Sequence, residues 1–435
     1  MTTSSVPATS SDASNASKSR AAIPYKWELL ALLWFAYFFN RADKQLYGFV
    51  IPDIGHDLNL TATQLGLVAT VFNWTYGLLV PFGGYFGDRL RRKWVIAASL
   101  ILWSAATMFT GWAGGLVSLI VLRSLATGAG ESFYYPSATS LIGQFHHRTR
   151  ALAMSIHQTA LYVGVVVSGA ITGYLAQTYS WRHSFYFFGI GGMALGLILT
   201  WRLKDTPREN EGDGVSPRAG RADAVPLTEI LRELRKKPTF FLLAIAFAGM
   251  AFVDIGYVTW MPTFLQENFG MSKTSAGFSS MFYHHFAAFI AILAAGRFTD
   301  AVARRRRSIR IEAQMLALFC GAPFIALMGF GKTPAMCFLG MGVFGLFRGV
   351  YESNLYATLF EVIPPRLRSS AVGGMICSAF LVGATSPLIM GAMKSHTGLG
   401  FTLGGLSVVY VFSGVMLLIA WALFFRRDCV EAGQG

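Results

Sequence analysis

Uncharged, apolar stretches of about 20 residues recur from one end of this chain to the other, and each is long enough to cross a bilayer as a helix. That recurrence constrains the fold more than any other feature. Inside a hydrocarbon layer every backbone N–H and C=O must find its partner within the segment, so such stretches become helices. The composition agrees: 54% of residues are hydrophobic and only 13% are charged, about half the charge of an ordinary soluble domain. Mean hydropathy is +0.48. A soluble enzyme and a disordered chain are both excluded. The net charge of +14 would suggest nucleic acid in a soluble protein, but here the basic residues lie between apolar spans. The cysteines Cys320, Cys337, Cys377 and Cys429 show no metal-binding spacing and read as small apolar residues.

Twelve spans are expected, near 27–51, 62–87, 94–113, 115–142, 150–177, 184–203, 239–266, 274–298, 309–330, 333–361, 368–393 and 401–425. Residues 1–24 read as a disordered cytoplasmic N-terminus, 25–203 and 239–425 as two six-helix bundles, and 426–435 as a cytoplasmic tail. Within the linker 204–238, Leu227, Ile230, Leu231 and Leu234 recur at helical spacing and predict an amphipathic helix on the inner leaflet. Of the 36 Lys and Arg residues, all but eight lie at the termini or in one alternate set of loops. The other loops hold Arg182, Lys273, Lys332 and Lys394, while Arg41, Lys44, Arg123 and Arg348 fall inside spans. By the positive-inside rule both termini are cytoplasmic, which implies a multi-pass protein of the cell (inner) membrane.

The two halves repeat one another. Gly84-Tyr-Phe-Gly-Asp88-Arg89 ends span 2 and Gly296-Arg-Phe-Thr-Asp300-Ala301 ends span 8. Glu131-Ser132 matches Glu352-Ser353, and Arg148-x-Arg150 matches Arg366-x-Arg368, at offsets of 212 to 221 residues. Repeated halves suit a transporter that rocks about a central site.

These residues carry a family resemblance. Gly84-x-x-x-Asp88-Arg89-x-x-Arg92-Lys93, its copy at Gly296 and Asp300, and Trp181-Arg182-x-x-Phe185 resemble the motifs of the major facilitator superfamily over roughly residues 25–425. The implied fold is an all-α membrane protein, the major facilitator fold, with 12 transmembrane helices in two six-helix pseudo-repeats. Asn40-Arg41-Ala42-Asp43-Lys44, Arg123, Gly128-Ala129-Gly130-Glu131 and Pro136 are similar to the anion:cation symporter group, which carries sugar acids and other organic anions with protons. Three positions depart from that group. Lys44 stands for an arginine, Arg91 for a glycine, and Arg123 lies eight residues before Glu131, where seven is usual. On a regular helix the extra residue would turn the pair about 80° apart. Glu131-Ser-Phe-Tyr134 and Arg148-Thr-Arg-Ala-Leu152 also resemble the spinster-like family, whose cargo is of the lysolipid type. A lysolipid or amphiphile transporter, or a proton-coupled exporter, is therefore the alternative.

A charge at mid-span costs at least ~2.5–3.5 kcal/mol, so each one needs a partner or a wet cavity. Glu131 and Asp43 are the expected proton-coupling carboxyls, with Glu131 the main carrier and Asp43 kept ionised by Lys44. Lys44, Arg123 and Arg41 are the expected receivers of a substrate carboxylate. Arg348 and Glu352 pair at i,i+4 spacing. Asn73, Tyr76, His157, Gln158, Tyr162, Asp254, Tyr257, His284 and Asn354 are candidates to hold substrate hydroxyls. Glu361 is expected to be solvated at the cytoplasmic edge. Gly84, Asp88, Arg89, Arg92, Gly296 and Asp300 are assigned to gating, with the basic residues pairing across the halves. A small anionic substrate, a proton and the lipid bilayer are the implied partners of a monomer that uses no cofactor, metal or nucleic acid. No nucleophile–base set or phosphate loop supports an enzyme.

Overall fold

The computed structural model describes residues 24–146, 149–204 and 227–429. Residues 1–23 of the expected disordered N-terminus, Arg148, most of the 204–238 linker and the tail end lie outside these residues. Among the described residues there is no strand. The long helices are α1 (Tyr25–Phe49), α2 (Ala62–Arg89), α3 (Arg92–Thr110), α4 (Leu116–Phe145), α5 (Arg150–Thr178) and α6 (Trp181–Arg202). The second half repeats the set with α7 (Pro238–Phe269), α8 (Lys273–Ala303), α9 (Ile309–Phe330), α10 (Pro334–Val362), α11 (368–397) and α12 (399–428).

Among the described residues, ten helical stretches are long and apolar enough to cross a membrane. α1 falls short of that criterion because it carries Arg41, Asp43 and Lys44. α11 and α12 run on as one apolar stretch and part at Gly398, whose φ of +77° is one that an L side chain rarely adopts. Local chemistry sets several starts. Thr61 and Gln64 cap α2 reciprocally, with Gln64 N–H donating to Thr61 Oγ1 at 3.3 Å and Thr61 N–H donating to Gln64 Oε1 at 2.9 Å. Thr333 accepts from Met336 N–H ahead of Pro334 at the first turn of α10.

The linker forms a helix over Leu227–Arg235. Leu234 is buried and Glu229 lies 3.6 Å from Arg366, so this helix docks on the second half. The side chains of Leu227 and Leu231 lie outside the description. At the base of the second half, Lys237 Nζ donates to Asp428 O and Thr239 N–H to Asp428 Oδ2, which ties the start of α7 to the end of α12.

The halves meet closely at the end opposite the basic loops. There α5 and α8 touch through bare backbone: a Cβ on Gly169 would fall 2.3 Å from Gly277 O, and one on Gly173 2.4 Å from Lys273 O. Gly66 of α2 sits likewise against Pro387 of α11. Lys273 forms an ion pair with Asp53 across the halves. The Trp181-Arg182 pair fastens this end of the first half: Trp181 Nε1 donates to Asp57 Oδ2 at 3.1 Å, and Arg182 pairs with Asp57 and donates to Ala113 O. The hydrogen bond from Arg182 holds the Asp57 carboxyl below the usual carboxylate range.

Candidate functional site

A cavity of about 280 Å³ lies between the halves, bounded by α1, α2, α4, α7, α10 and α11. Seven of the expected residues line it: Arg41, Lys44, Asn73, Arg123, Asp254, Arg348 and Glu352. Gln45, Phe72, Thr259 and Phe380 also line it, and sequence reasoning did not single them out. Gln45 was the most accessible of these, since it follows Lys44 directly on the charged turn of α1.

Helical geometry divides the α1 charges. Arg41, Lys44 and Gln45 are three and four residues apart and share the cavity face, whereas Asp43 points the other way and is 2% exposed. Adjacent helical residues do not face each other, so Asp43 is served by other helices and not by Lys44. Thr107 of α3 donates to Asp43 Oδ2 at 2.6 Å, and Arg123 Nη1 lies 4.0 Å from Oδ1. This corrects the expectation that Lys44 keeps Asp43 ionised.

Arg123 braces α1 itself. Its Nη2 donates to the carbonyls of Asp43 (2.9 Å) and Lys44 (3.1 Å), and its guanidinium carbon lies 4.3 Å from the Phe72 ring centroid. The eight-residue spacing to Glu131 does not rotate the two apart. Residues Ile120–Ala126 form a wide turn with i→i+5 bonding, which takes up one extra residue. Glu131, 1% exposed, consequently lies within hydrogen-bonding reach of the Asp43 carboxyl, with Arg123 acting on both. Neither Glu131 oxygen receives a donor from the described residues. Two carboxylates offer each other no donor, so a contact between them requires a proton.

The two cations on the cavity face lack anionic partners among the described residues. Lys44 Nζ sits 3.5 Å from the Tyr76 ring centroid, with Phe72 and Phe380 each at 5.8 Å. Arg41 Nη2 donates to Tyr37 OH at 2.8 Å, with its guanidinium over the same ring. Aromatic faces attract these cations, and neither makes a close ion pair with a carboxylate among the described residues.

On the facing wall, Arg348 stands between two acids. Its Nε lies 3.0 Å from Asp254 Oδ1, and its Nη2 donates to Glu352 Oε1 at 2.9 Å and to Asp254 Oδ2 at 3.3 Å. His284, fully buried, lies behind Asp254 at 3.7 Å.

The other expected residues are placed elsewhere. Tyr76 supports Lys44 from behind. His157 stacks on Tyr37 at 4.6 Å and hydrogen-bonds Tyr134 OH inside the first half. Gln158 is exposed. Tyr162 packs edge-on against Phe289 of α8. Tyr257 is buried and donates to Ser280 O, and Asn354 donates to Val350 O of its own helix at 2.9 Å. Among the gating residues, the side chains of Gly84 and Asp88 lie outside the description. Arg89 lies over the Tyr85 ring, Arg92 opens α3, and a Cβ on Gly296 would meet Ser353 at 3.9 Å. Asp300 pairs with Arg310 at 2.9 Å, and Arg310 also reaches Glu361 at 2.5 Å. That triad lies wholly within the second half, and Glu361 is ion-paired where it was expected to be solvated.

Comparison with known proteins places this architecture. A model of the Major Facilitator Superfamily matches residues 33–328. The chain is 25% identical over 415 residues to a hexuronate transporter of Bacillus subtilis (strain 168), covering 93% of this chain and 94% of that one. It is 24% identical over 433 residues to a probable galactarate/D-glucarate transporter of Escherichia coli (strain K12), covering 91% of each. Among solved structures, a bacterial homologue of the human lysosomal transporter Spinster, inward-facing and unoccupied, superposes with a TM-score of 0.81. It is 22% identical, and the match covers 94% of this chain and 99% of that one. The family model matches more than half of the chain, so this protein is a membrane transporter, not an enzyme, and belongs to the Major Facilitator Superfamily.

Proposed function

We propose that this protein is a proton-coupled symporter that takes up a small organic anion, a sugar acid, by alternating access in the cell membrane, with both termini cytoplasmic. One observation carries the reading. Arg41 and Lys44 face the central cavity with aromatic partners where a charge-compensated pair would otherwise stand. A substrate carboxylate fits there, because charge-assisted hydrogen bonds are stronger than neutral ones. The volume of about 280 Å³ lies at the lower edge of the range for small-ligand sites, which suits one sugar acid. The names of the hexuronate and galactarate/glucarate relatives support the same class of cargo.

Coupling is assigned to Asp43 and Glu131. A proton held between them leaves Arg123 braced on α1; its loss puts a second negative charge beside Arg123 and loosens that brace. Substrate at Lys44 and proton at Glu131 therefore bias the same helix, which is what coupling two ligands through one two-state element requires. The tight end with Gly169, Gly277 and the Asp53–Lys273 pair is then the outer gate in its closed state. Asp88 and the basic residues near it hold the inner end in the opposite state.

One observation favours an amphiphile instead. An apolar groove of about 790 Å³ on α2, α3 and α4, lined by Leu90, Trp94, Leu102 and Phe133, carries Arg91. It shares no lining residue with the central cavity. Proteoliposomes holding the full chain separate the two readings. Uptake of labelled D-glucuronate or D-galactonate, stimulated by an inward proton gradient and competed by other sugar acids, is expected. Transport of a labelled lysophospholipid with no response to any carboxylate would overturn the reading.

A further inference from the structure

The charges around the cavity are unevenly divided between its two walls. The wall from α1 and α4 presents Arg41, Lys44 and Arg123, and the carboxyl of Asp43 is turned away and already bound by Thr107 and Arg123. The facing wall from α7 and α10 presents two acids, Asp254 and Glu352, to one cation, Arg348. That guanidinium is held by both carboxylates at 2.9–3.3 Å and has no charge to offer a ligand. The cavity is thus positive on one side and acceptor-rich and negative on the other. Asp254 and Glu352 keep 24% and 29% of their side chains exposed there, so a charge brought against that wall meets both.

From this asymmetry we propose that the α7–α10 wall is a charge filter. It admits acids with a single carboxylate and a hydroxyl-bearing tail, and it rejects those with a second carboxylate at the far end. The inference rests on reading the cavity as a sugar-acid site and narrows that class. A carboxylate seated at Lys44 and Arg41 directs the rest of the molecule toward Asp254 and Glu352. Hydroxyls donate to those acceptor-only oxygens. A terminal carboxylate brings no donor and meets two like charges, an arrangement that specificity by repulsion uses. The relatives differ on this point, since a hexuronate carries one carboxylate and galactarate or glucarate two. Identities of 25% and 24% do not choose between them; the α7–α10 wall does.

The test is binding to the purified full chain in detergent at pH 7.5 by calorimetry. Matched six-carbon pairs are used: D-galactonate with galactarate, and D-gluconate with D-glucarate. The monoamide of galactaric acid keeps the same six-carbon skeleton and the carbonyl at the far end but removes the second charge. The expected result is that the single-charge acids and the monoamide bind within about threefold of each other. The two diacids should bind weaker by roughly tenfold or more, as like-charge juxtaposition demands. Equal binding of galactarate and galactonate would overturn the filter while leaving the sugar-acid reading intact. Failure of every acid in the set to bind would take down that reading and the filter with it. In a D254N/E352Q variant that still binds the monoamide, the gap should narrow to under about threefold by a gain for galactarate. An unchanged gap would show that other residues discriminate. The monoamide comparison needs no variant, so it decides the question even where the variant does not fold.

Discussion

Gly169→Ala should hold the gate at the Asp53–Lys273 end open. In the described state the new methyl carbon would lie 2.3 Å from Gly277 O and 2.7 Å from its carbonyl carbon. Attractive carbon contacts begin near ~3.5 Å, so α5 and α8 would have to part by roughly 1 Å. Overpacking of this kind costs ~1–3 kcal/mol. The clash exists only while the two helices touch. The gain from replacing a mid-helix glycine by alanine, ~1 kcal/mol, is common to both states and cancels. The ratio of closed to open molecules should therefore fall by roughly 5- to 150-fold. Spin labels at Gly114→Cys and Lys332→Cys, one in each half at that end, read the change as a distance distribution. The native cysteines are replaced first, since Cys320 and Cys377 are exposed. The expected result is a shift from the short to the long distance in the alanine variant. Gly342→Ala serves as the control, because a Cβ there meets nothing within 4 Å, and it should leave the distribution unchanged. An unaltered distribution in the Gly169 variant would refute the claim that this backbone contact is a gate.

Lys44→Gln keeps a hydrogen-bond donor on a side chain one atom shorter but removes the charge, and should weaken sugar-acid binding by roughly 10- to 100-fold, given ~1.5–3 kcal/mol for a charged hydrogen bond. Calorimetry checks this, and unchanged affinity would place the carboxylate elsewhere. Deleting Leu125, a surface residue inside the wide turn of α4, restores seven-residue spacing and should leave a regular helix with the Arg123–Asp43 contact intact. A melting temperature within a few degrees of the parent and retained binding are expected; loss of folding would show that the wide turn is required in itself. Asp88→Asn should slow transport with little change in affinity, because the residue lies at the helix end and not at the cavity. A large loss of binding with normal turnover would contradict that assignment.

The helical architecture was legible because hydrocarbon permits few alternatives: apolar length marked the helices, and the repeated Gly84/Asp88 and Gly296/Asp300 strings marked the halves. The i,i+4 spacing of Arg348 and Glu352 was enough to anticipate their contact. Partners brought from other helices were not legible. Asp254 reaches Arg348 from α7, and Thr107 reaches Asp43 from α3, and no local pattern encodes either meeting. Asp43 and Lys44 are neighbours in sequence and suggested a pair, but the 100° step of the helix sends them to different faces. The wide turn escaped for a related reason. A single extra residue changes no composition and no hydrophobic pattern, so periodicity alone turned Arg123 and Glu131 apart, while the i→i+5 turn keeps both acting on Asp43. Intramembrane polar residues were the least informative signal. His157, Tyr257 and Asn354 spend their hydrogen bonds on neighbouring residues, which is what many buried polar groups in helix bundles do.

The central claim is that a proton held at Glu131, against Asp43 and Arg123, is linked to an anion at Lys44 and Arg41. Glu131→Gln fixes the side chain in a form equivalent to the protonated acid. In proteoliposomes containing this variant, labelled sugar acid should still exchange across the membrane, and its binding should be close to that of the parent. Accumulation driven by an inward proton gradient should be abolished. If the variant still concentrates the sugar acid under that gradient, Glu131 is not the coupling carboxyl and the account is contradicted.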